Sequence, residues 1–146
     1  MLFSFLLRTA DQSFQQLDLL IEDDLPSPSR PEQTGSPDSL VDWASLGRQG
    51  RRFVTGGPDA GALGSFFKTP LVAPIRVYVG LNSADTPEAR ARLALEELER
   101  VGAFERSVMV LATPTGTGWI DPAGQDPLEY LFRGDIATVA VQYSYL

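Results

Sequence analysis

The sequence predicts an α/β protein in which strand, helix, strand, short helix and strand follow one another. Three short apolar runs carry this prediction, because each is bounded by turn residues and a helix-like segment separates it from the next. At 146 residues, with 43% hydrophobic residues, the chain is long enough to bury a core of its own. One compact unit with a right-handed parallel sheet is therefore expected.

The first strand is predicted in PIRVYVGL, residues 74–81. Its β-branched positions 75, 77 and 79 alternate with Arg76 and Tyr78, and Pro74 and Gly80 bound the run. This alternation is typical of a strand that presents a different kind of residue to each face of a sheet.

A helix is predicted directly after this strand. Asp85 or Thr86 can cap it, Pro87 suits its first turn, and Gly102 ends it. Apolar residues recur at helical spacing on one face, at positions 91, 94, 95, 98 and 101. The other face carries charges of alternating sign, Glu88, Arg92, Glu96 and Arg100. The pattern favours a packing helix with a solvated face and no catalytic role.

Two further strands are predicted, in SVMVLATP at residues 107–114 and in IATVAVQYSY at residues 136–145. The first is almost wholly apolar, which predicts a strand covered by helices on both faces. Between the strands, DPLEYLF predicts a short helix that begins behind Asp126 and ends near Gly134.

The first 40 residues are interpreted as a lead segment and linker, and residues 41–146 as the folded domain. The apolar start at residues 2–7 is too short to cross a bilayer, so the chain is predicted to be soluble by composition. This apolar start is typical of an amphipathic or disordered lead segment, or of the tail of a longer protein. Residues 22–40 are rich in proline and serine and predict an extended linker or a loop that lies along the surface.

Composition excludes several functions. The formal charge of −7 repels phosphate backbones, so nucleic acid is not an expected partner. The sequence has no cysteine and no histidine, which removes thiolate ligands, the commonest general base and the middle member of a Ser-His-Asp relay. Neither Ser107 nor Ser144 is a candidate nucleophile without such a base. No cofactor and no metal site are predicted.

One loop stands out at the predicted carboxyl end of the second strand. It contains five candidate oxyanion or substrate contacts: Thr115, Gly116, Thr117, Gly118 and Trp119. Glycines let backbone N–H groups approach a ligand closely, and ligands of parallel sheets bind at this edge. The motif matches neither a P-loop nor GxGxxG. A plain tight turn explains the same residues equally well.

Three arginines, Arg48, Arg51 and Arg52, surround two glycines shortly before Phe53. Guanidinium groups beside glycine N–H groups suit carboxylates or phosphates, so an anion site is one interpretation. A solvated basic turn that pairs with neighbouring carboxylates is the alternative, and three arginines alone favour it.

Several blocks of the sequence resemble a bacterial family of membrane-associated α/β-hydrolase proteins, in the amino-terminal part of its catalytic domain. The blocks are GSPDSLVDWASLGRQGRRFV, PIRVYVGL, ELERVGAFERSVMVLATPTGTGWIDP and EYLFRGDIATVAVQYSYL, which span residues 35–146 with few gaps. The most specific are PTGTGW and QYSYL. The resemblance implies a partial parallel sheet of the α/β-hydrolase type (β-α-β-α-β) behind an irregular Pro/Gly-rich amino-terminal segment.

The same resemblance implies a serine hydrolase of the acyl-ester or lipid type, with membrane-spanning helices ahead of the catalytic domain. In such enzymes the nucleophile follows the QYSYL strand in a Gly-x-Ser-x-Gly elbow, and the loop corresponding to residues 113–119 supplies one N–H of the oxyanion hole. This sequence contains no such elbow and no histidine. The chain is therefore expected to hold no catalytic residue and to be an inactive amino-terminal part of the domain.

A second function class stays open, a non-catalytic α/β module that binds a small anion or nucleotide through its TGTG loop. The hydrolase interpretation makes one further structural prediction. If the domain lacks later strands, the strand at residues 136–145 is left with an unpaired edge, and Val139, Val141 and Tyr143 are exposed.

Overall fold

The computed structural model describes residues 2–145, with side chains for residues 9, 10 and 12–145. It confirms the predicted α/β class. The helices are α1 (Leu2–Leu19), α2 (Gly47–Thr55), α3 (Ala60–Phe67), α4 (Pro87–Arg100) and α5 (Pro122–Leu131), with short 3-10 helices at Trp43–Leu46 and Ala103–Glu105. The strands are β1 (Ile75–Val79), β2 (Val108–Ala112) and β3 (Ile136–Val141).

The three strands form one parallel sheet in the order β1-β3-β2. Arg76 of β1 and Val110 of β2 both lie beside Thr138 of β3, which fixes the register. The prediction that the last strand has an unpaired edge is therefore wrong, because β3 lies between the other two. Val139 is buried within the core, and Tyr143 lies beyond the end of β3 and is exposed.

Strand β2 also differs from its prediction. It was expected to be covered on both faces, but Met109 and Leu111 are exposed. The reason is its position, since β2 is an edge strand and α4 packs against β1 and β3 instead. Its other face, which carries Val110, is half-buried.

The cap and the bounds of helix α4 follow the sequence prediction, but two of the five positions predicted to pack, Ala91 and Leu95, are exposed. Thr86 caps it by accepting a hydrogen bond from the Ala89 N–H, and Pro87 is its first residue. One expected feature is different, because Arg100 pairs with Glu97, three residues before it, and not with Glu96. Glu97, which is not among the four charges predicted for the solvated face, is fully buried.

Helix α5 begins earlier than predicted. Asp121 caps it by accepting from the Ala123 N–H, and Pro122 occupies the first position. Asp126 was expected to precede the helix but lies inside it, together with Pro127. An aspartate followed by a proline occurs at both places in the sequence, and the periodicity of so short a segment does not distinguish them.

Residues 22–42 contain no helix or strand, as their composition predicts, and most of them are exposed or half-buried, although Thr34 and Ser36 are buried. They are attached to α4 through the buried Glu97 carboxylate. Thr34 Oγ1 donates to it at 3.0 Å, Ser39 Oγ at 2.8 Å and the Leu40 N–H at 3.0 Å. Burial raises the pKa of Glu97, but these bonds and those from Arg100 outweigh burial and hold the pKa below its ordinary value.

A buried polar network lies under α5 on the face of β1 that carries Arg76. The Arg76 guanidinium donates to both oxygens of Glu129, at 2.7 and 2.8 Å, and to Asp126 at 2.7 Å. Gln125 joins the network by donating to Glu129 and to Thr138. Burial lowers the pKa of Arg76, but the two carboxylates outweigh burial and raise it above its ordinary value. The charge is therefore tolerated in the interior because it is paired.

Candidate functional site

The carboxyl ends of all three strands meet at one edge of the sheet, because the strands are parallel. The segments that leave this edge are residues 80–86 after β1, residues 113–121 after β2 and residues 142–145 after β3. Ligands of open parallel sheets bind at this edge, so a ligand-binding site is expected here.

The loop after β2 is a tight turn closed by its own hydrogen bonds. The Thr115 N–H donates to the Trp119 carbonyl at 2.9 Å, and the Gly118 N–H donates to the Thr115 carbonyl at 2.8 Å. The Trp119 N–H donates to Thr115 Oγ1 at 3.2 Å. Three of the loop's N–H groups are therefore used inside the turn.

Two side chains bind carbonyl groups of the loop, one from β1 and one from the residue directly after β3. The Tyr78 hydroxyl donates to the Gly118 carbonyl at 2.9 Å, and Gln142 Nε2 donates to the Gly116 carbonyl at 3.3 Å. Burial raises the pKa of Tyr78, so this hydroxyl keeps its proton. Gly118 has a φ of 89°, and a Cβ there would collide with the Tyr78 hydroxyl. Position 118 therefore requires glycine.

This arrangement leaves two adjacent backbone donors available. Within the part of the chain that the structure describes, the N–H groups of Gly116 and Thr117 make no hydrogen bond. Gly116 is half-buried and Thr117 is exposed. Consecutive free N–H groups on a turn form a concave surface that suits an oxygen bearing negative charge.

A cavity of about 370 Å³ lies next to this loop, between α2 and the start of α5. Trp119 and Ile120 line it from the loop side, and Arg52 and Phe53 line it from α2. This size lies at the lower end of the range for small-molecule sites. Its walls are mixed, with aromatic and aliphatic groups beside one exposed guanidinium.

The three arginines singled out in the sequence lie on α2 and have different environments. Arg51 is fully buried and donates to Glu22 and to the Asp18 and Leu20 carbonyls, so it fastens the end of α1 to α2. Arg48 pairs with the same Glu22 at 3.3 Å. Arg52 is exposed and is the member of the set that lines the cavity beside Trp119.

A second cluster of side chains lies at this edge, and no sequence pattern predicts it. Phe14 of α1 stacks on Tyr145, with ring centroids 6.3 Å apart, and Asn82 donates to the Tyr145 hydroxyl at 3.1 Å. Asp18 accepts from the Arg48 N–H at 3.2 Å. Burial raises the pKa of Asp18 and outweighs that bond and the one from Tyr145. These residues lie far apart in sequence, so only the fold brings them together.

The remaining polar candidates have structural partners. Asp121 caps α5, and Asp126 and Glu129 bind Arg76. Ser107 donates to Asp135. Among the described side chains, no group of three or more potential metal ligands is arranged around a common point.

The fold defines an α/β protein with a small parallel sheet, and a glycine-containing loop lies at the carboxyl edge of that sheet. Comparison with sequence models of protein families shows which family the chain belongs to. Residues 75–146 match the sequence model of a family described as alpha/beta-hydrolase family, and residues 1–58 match the model of the same family's N-terminus. The chain belongs to this alpha/beta-hydrolase family.

Searches of curated proteins and of solved structures give no significant match. Among residues 2–145, none of the helices combines the length and the hydropathy needed to cross a membrane.

Proposed function

We propose that this chain forms the amino-terminal part of an acyl-ester hydrolase domain, and that residues 113–119 supply backbone donors to the oxyanion of that reaction. The observation that carries the proposal is the pair of free N–H groups at Gly116 and Thr117, held at the carboxyl edge of the sheet. Tyr78 and Gln142 fix the carbonyl groups of the same turn, so the two donors are preorganised.

Family membership and the adjacent cavity support an ester as the substrate class. Trp119, Ile120 and Phe53 offer apolar contacts to an acyl chain, and about 370 Å³ accommodates a short one. The lipid-type substrate and the membrane location that the resemblance implies remain predictions. The sequence has no histidine and no Gly-x-Ser-x-Gly, so we expect this chain by itself to hydrolyse no ester.

The first experiment compares two chains on a short-chain nitrophenyl ester. One is this chain, and the other continues through the next Gly-x-Ser-x-Gly and histidine encoded after position 146. We expect turnover only in the longer chain. Turnover by the shorter chain would mean that a base other than histidine is at work, and the proposal would be wrong.

The role of the loop is tested in the longer chain with two variants at one position. Thr117→Pro removes the N–H donor, whereas Thr117→Ala keeps it. We expect kcat to fall by about 100-fold for Thr117→Pro and to change little for Thr117→Ala, since removing one oxyanion donor costs this much. Equal activity of the two variants would exclude Thr117 as an oxyanion donor.

The alternative, a module that binds a small anion or nucleotide without chemistry, uses the same two donors. The absence of histidine from the sequence favours it. A titration of this chain with AMP, followed through the amide signals of Gly116 and Thr117, separates the two functions. Saturable shifts together with an inactive longer chain would favour the binding module.

A further inference from the structure

The cavity of about 370 Å³ beside the glycine loop contains a cation that the described residues do not neutralise. Arg52 is exposed on α2 and lines this cavity. With the described residues its guanidinium makes neither a hydrogen bond nor an ion pair. Arg76 also lines the cavity, but it is paired with Glu129 and Asp126. The charge without a partner in this cavity is therefore that of Arg52.

The cavity is also free of acidic groups. Among the described residues no carboxylate lines it, although the chain has 19 acidic side chains. A larger cavity of about 670 Å³ near the start of β1 is different, because its lining contains Glu32 and Asp59 together with arginines. There Glu32 pairs with Arg30 at 3.5 Å. A cleft lined by charges of one sign attracts ligands of the opposite sign, so the smaller cavity favours an anion.

The remaining walls of the smaller cavity suit a short apolar chain. Phe53 is buried, Ile120 is half-buried and Trp119 is exposed, and all three line it. Apolar contacts with these side chains stabilise methylene groups, whereas the guanidinium of Arg52 favours a negative charge. A ligand that satisfies both kinds of wall has an apolar segment that ends in an anionic group.

We propose that this cavity binds the acyl part of an ester whose far end is a carboxylate, and that Arg52 is the residue that binds this carboxylate. The inference rests on the proposed function, because it names the class of ester. A guanidinium presents two parallel N–H groups that match both oxygens of a carboxylate. The cavity begins at Trp119, in the same loop as the proposed oxyanion donors Gly116 and Thr117.

The test compares the binding of two esters to the ¹⁵N-labelled chain. Monomethyl glutarate carries a carboxylate, and the methyl ester of glutaramic acid carries a neutral amide in its place. The indole N–H signal of Trp119 is followed by NMR, and that of Trp43, which does not line the cavity, is the internal reference. We expect a saturable shift at Trp119 and an affinity about tenfold higher for the carboxylate, because a charged hydrogen bond contributes this much. Equal affinities, or no saturable shift with either ester, would overturn the proposal.

Two variants that change the net charge equally make the test specific. Arg52→Gln removes the charge from the cavity, so we expect its affinity for monomethyl glutarate to fall by about tenfold and its preference over the amide to disappear. Arg92→Gln is the matched control, because Arg92 is exposed on α4 and does not line the cavity, and its affinity should stay unchanged. Equal affinities of the two variants would refute a carboxylate site at Arg52. If Arg52→Gln does not fold, the comparison of the two esters on the unaltered chain still decides.

Binding by this chain and turnover by the longer chain fail independently. Preferential binding of the carboxylate ester together with an inactive longer chain would overturn the hydrolase function and support the site at Arg52. Turnover by the longer chain without a preference for the carboxylate ester would support the hydrolase function and overturn the site. Shifts of the Gly116 and Thr117 amides without a change at Trp119 would place the anion on the loop and would also overturn the site at Arg52.

Discussion

Strands β1 and β2 occupy the two edges of the same sheet, and their burial is opposite to what their compositions suggest. β1 contains Arg76, yet its residues at positions 75, 77, 78 and 79 are all buried. β2 is entirely apolar, yet Leu111 is 77% exposed. Composition therefore does not decide which edge strand is covered.

The difference arises from the helices that reach each strand. Helices α2 and α4 both pack on β1, and Glu129 from α5 neutralises Arg76 there. No helix of the described chain has a comparable contact with the face of β2 that carries Met109 and Leu111. A charged residue can be buried when the chain supplies a partner of opposite charge, and an apolar residue stays exposed when no other element packs on it.

The largest expected effect comes from breaking the ion pair under β1. Glu129→Ala leaves the Arg76 guanidinium buried with only Asp126 as a carboxylate partner, so we expect the free energy of unfolding to fall by about 3 kcal/mol. Urea unfolding of the variant and the unaltered chain measures this loss of free energy. Asp126→Ala is the matched control and should cost about 1 kcal/mol, since Asp126 is 38% exposed in its side chain. Equal losses would show that Arg76 does not depend on Glu129.

The next prediction compares the two strands directly. Val77→Ala removes two buried methyl groups from β1 and should lower the free energy of unfolding by roughly 2 kcal/mol. Leu111→Ala removes exposed atoms from β2 and should change it by less than about 0.5 kcal/mol. Chemical denaturation of both variants checks this, and a large loss for Leu111→Ala would mean that β2 is covered in solution.

A smaller effect is expected where residues 34–40 join α4, the helix that covers β1. The pKa of Glu97 lies below its ordinary value of 4.5, so its bonds stabilise the fold fully above that pH and are lost as the pH falls through the lower, folded pKa. Glu97→Gln should cost about 1 kcal/mol at pH 7, and the difference from the unaltered chain should shrink at pH 3. Glu96→Gln, on the exposed face, is the control and should show no such dependence. A pH-independent difference for Glu97→Gln would contradict the interpretation.

The smallest effect on stability, but a measurable one on association, is expected at the open face of β2. An apolar edge strand promotes contacts between molecules, so Leu111→Lys should weaken concentration-dependent association without changing the melting temperature. Leu131→Lys serves as the control, because Leu131 is 70% exposed but lies on α5. Sedimentation velocity at several concentrations compares the association of the two variants. Identical association of both would show that the exposed face of β2 is not the contact surface.

Much of the candidate site was recognisable in the sequence. Two glycines one residue apart after an apolar strand predict a loop at the ligand-facing edge, and the loop lies there. The side chains that bind the loop were not recognisable, because Tyr78 lies on β1 and Gln142 directly follows β3, and both look like ordinary residues of a strand region.

By itself, the sequence determined the α/β class, the three strands, the capped helix α4 and the position of the glycine loop. These features depend on local periodicity, on capping residues and on the freedom of glycine, all of which act between neighbours in the chain. Only the tertiary structure decided that β3 is central, that β2 is exposed and that Arg51 and Arg76 are buried with partners. Strand order and ion pairing depend on contacts between residues far apart in the chain, which no short pattern of residues records.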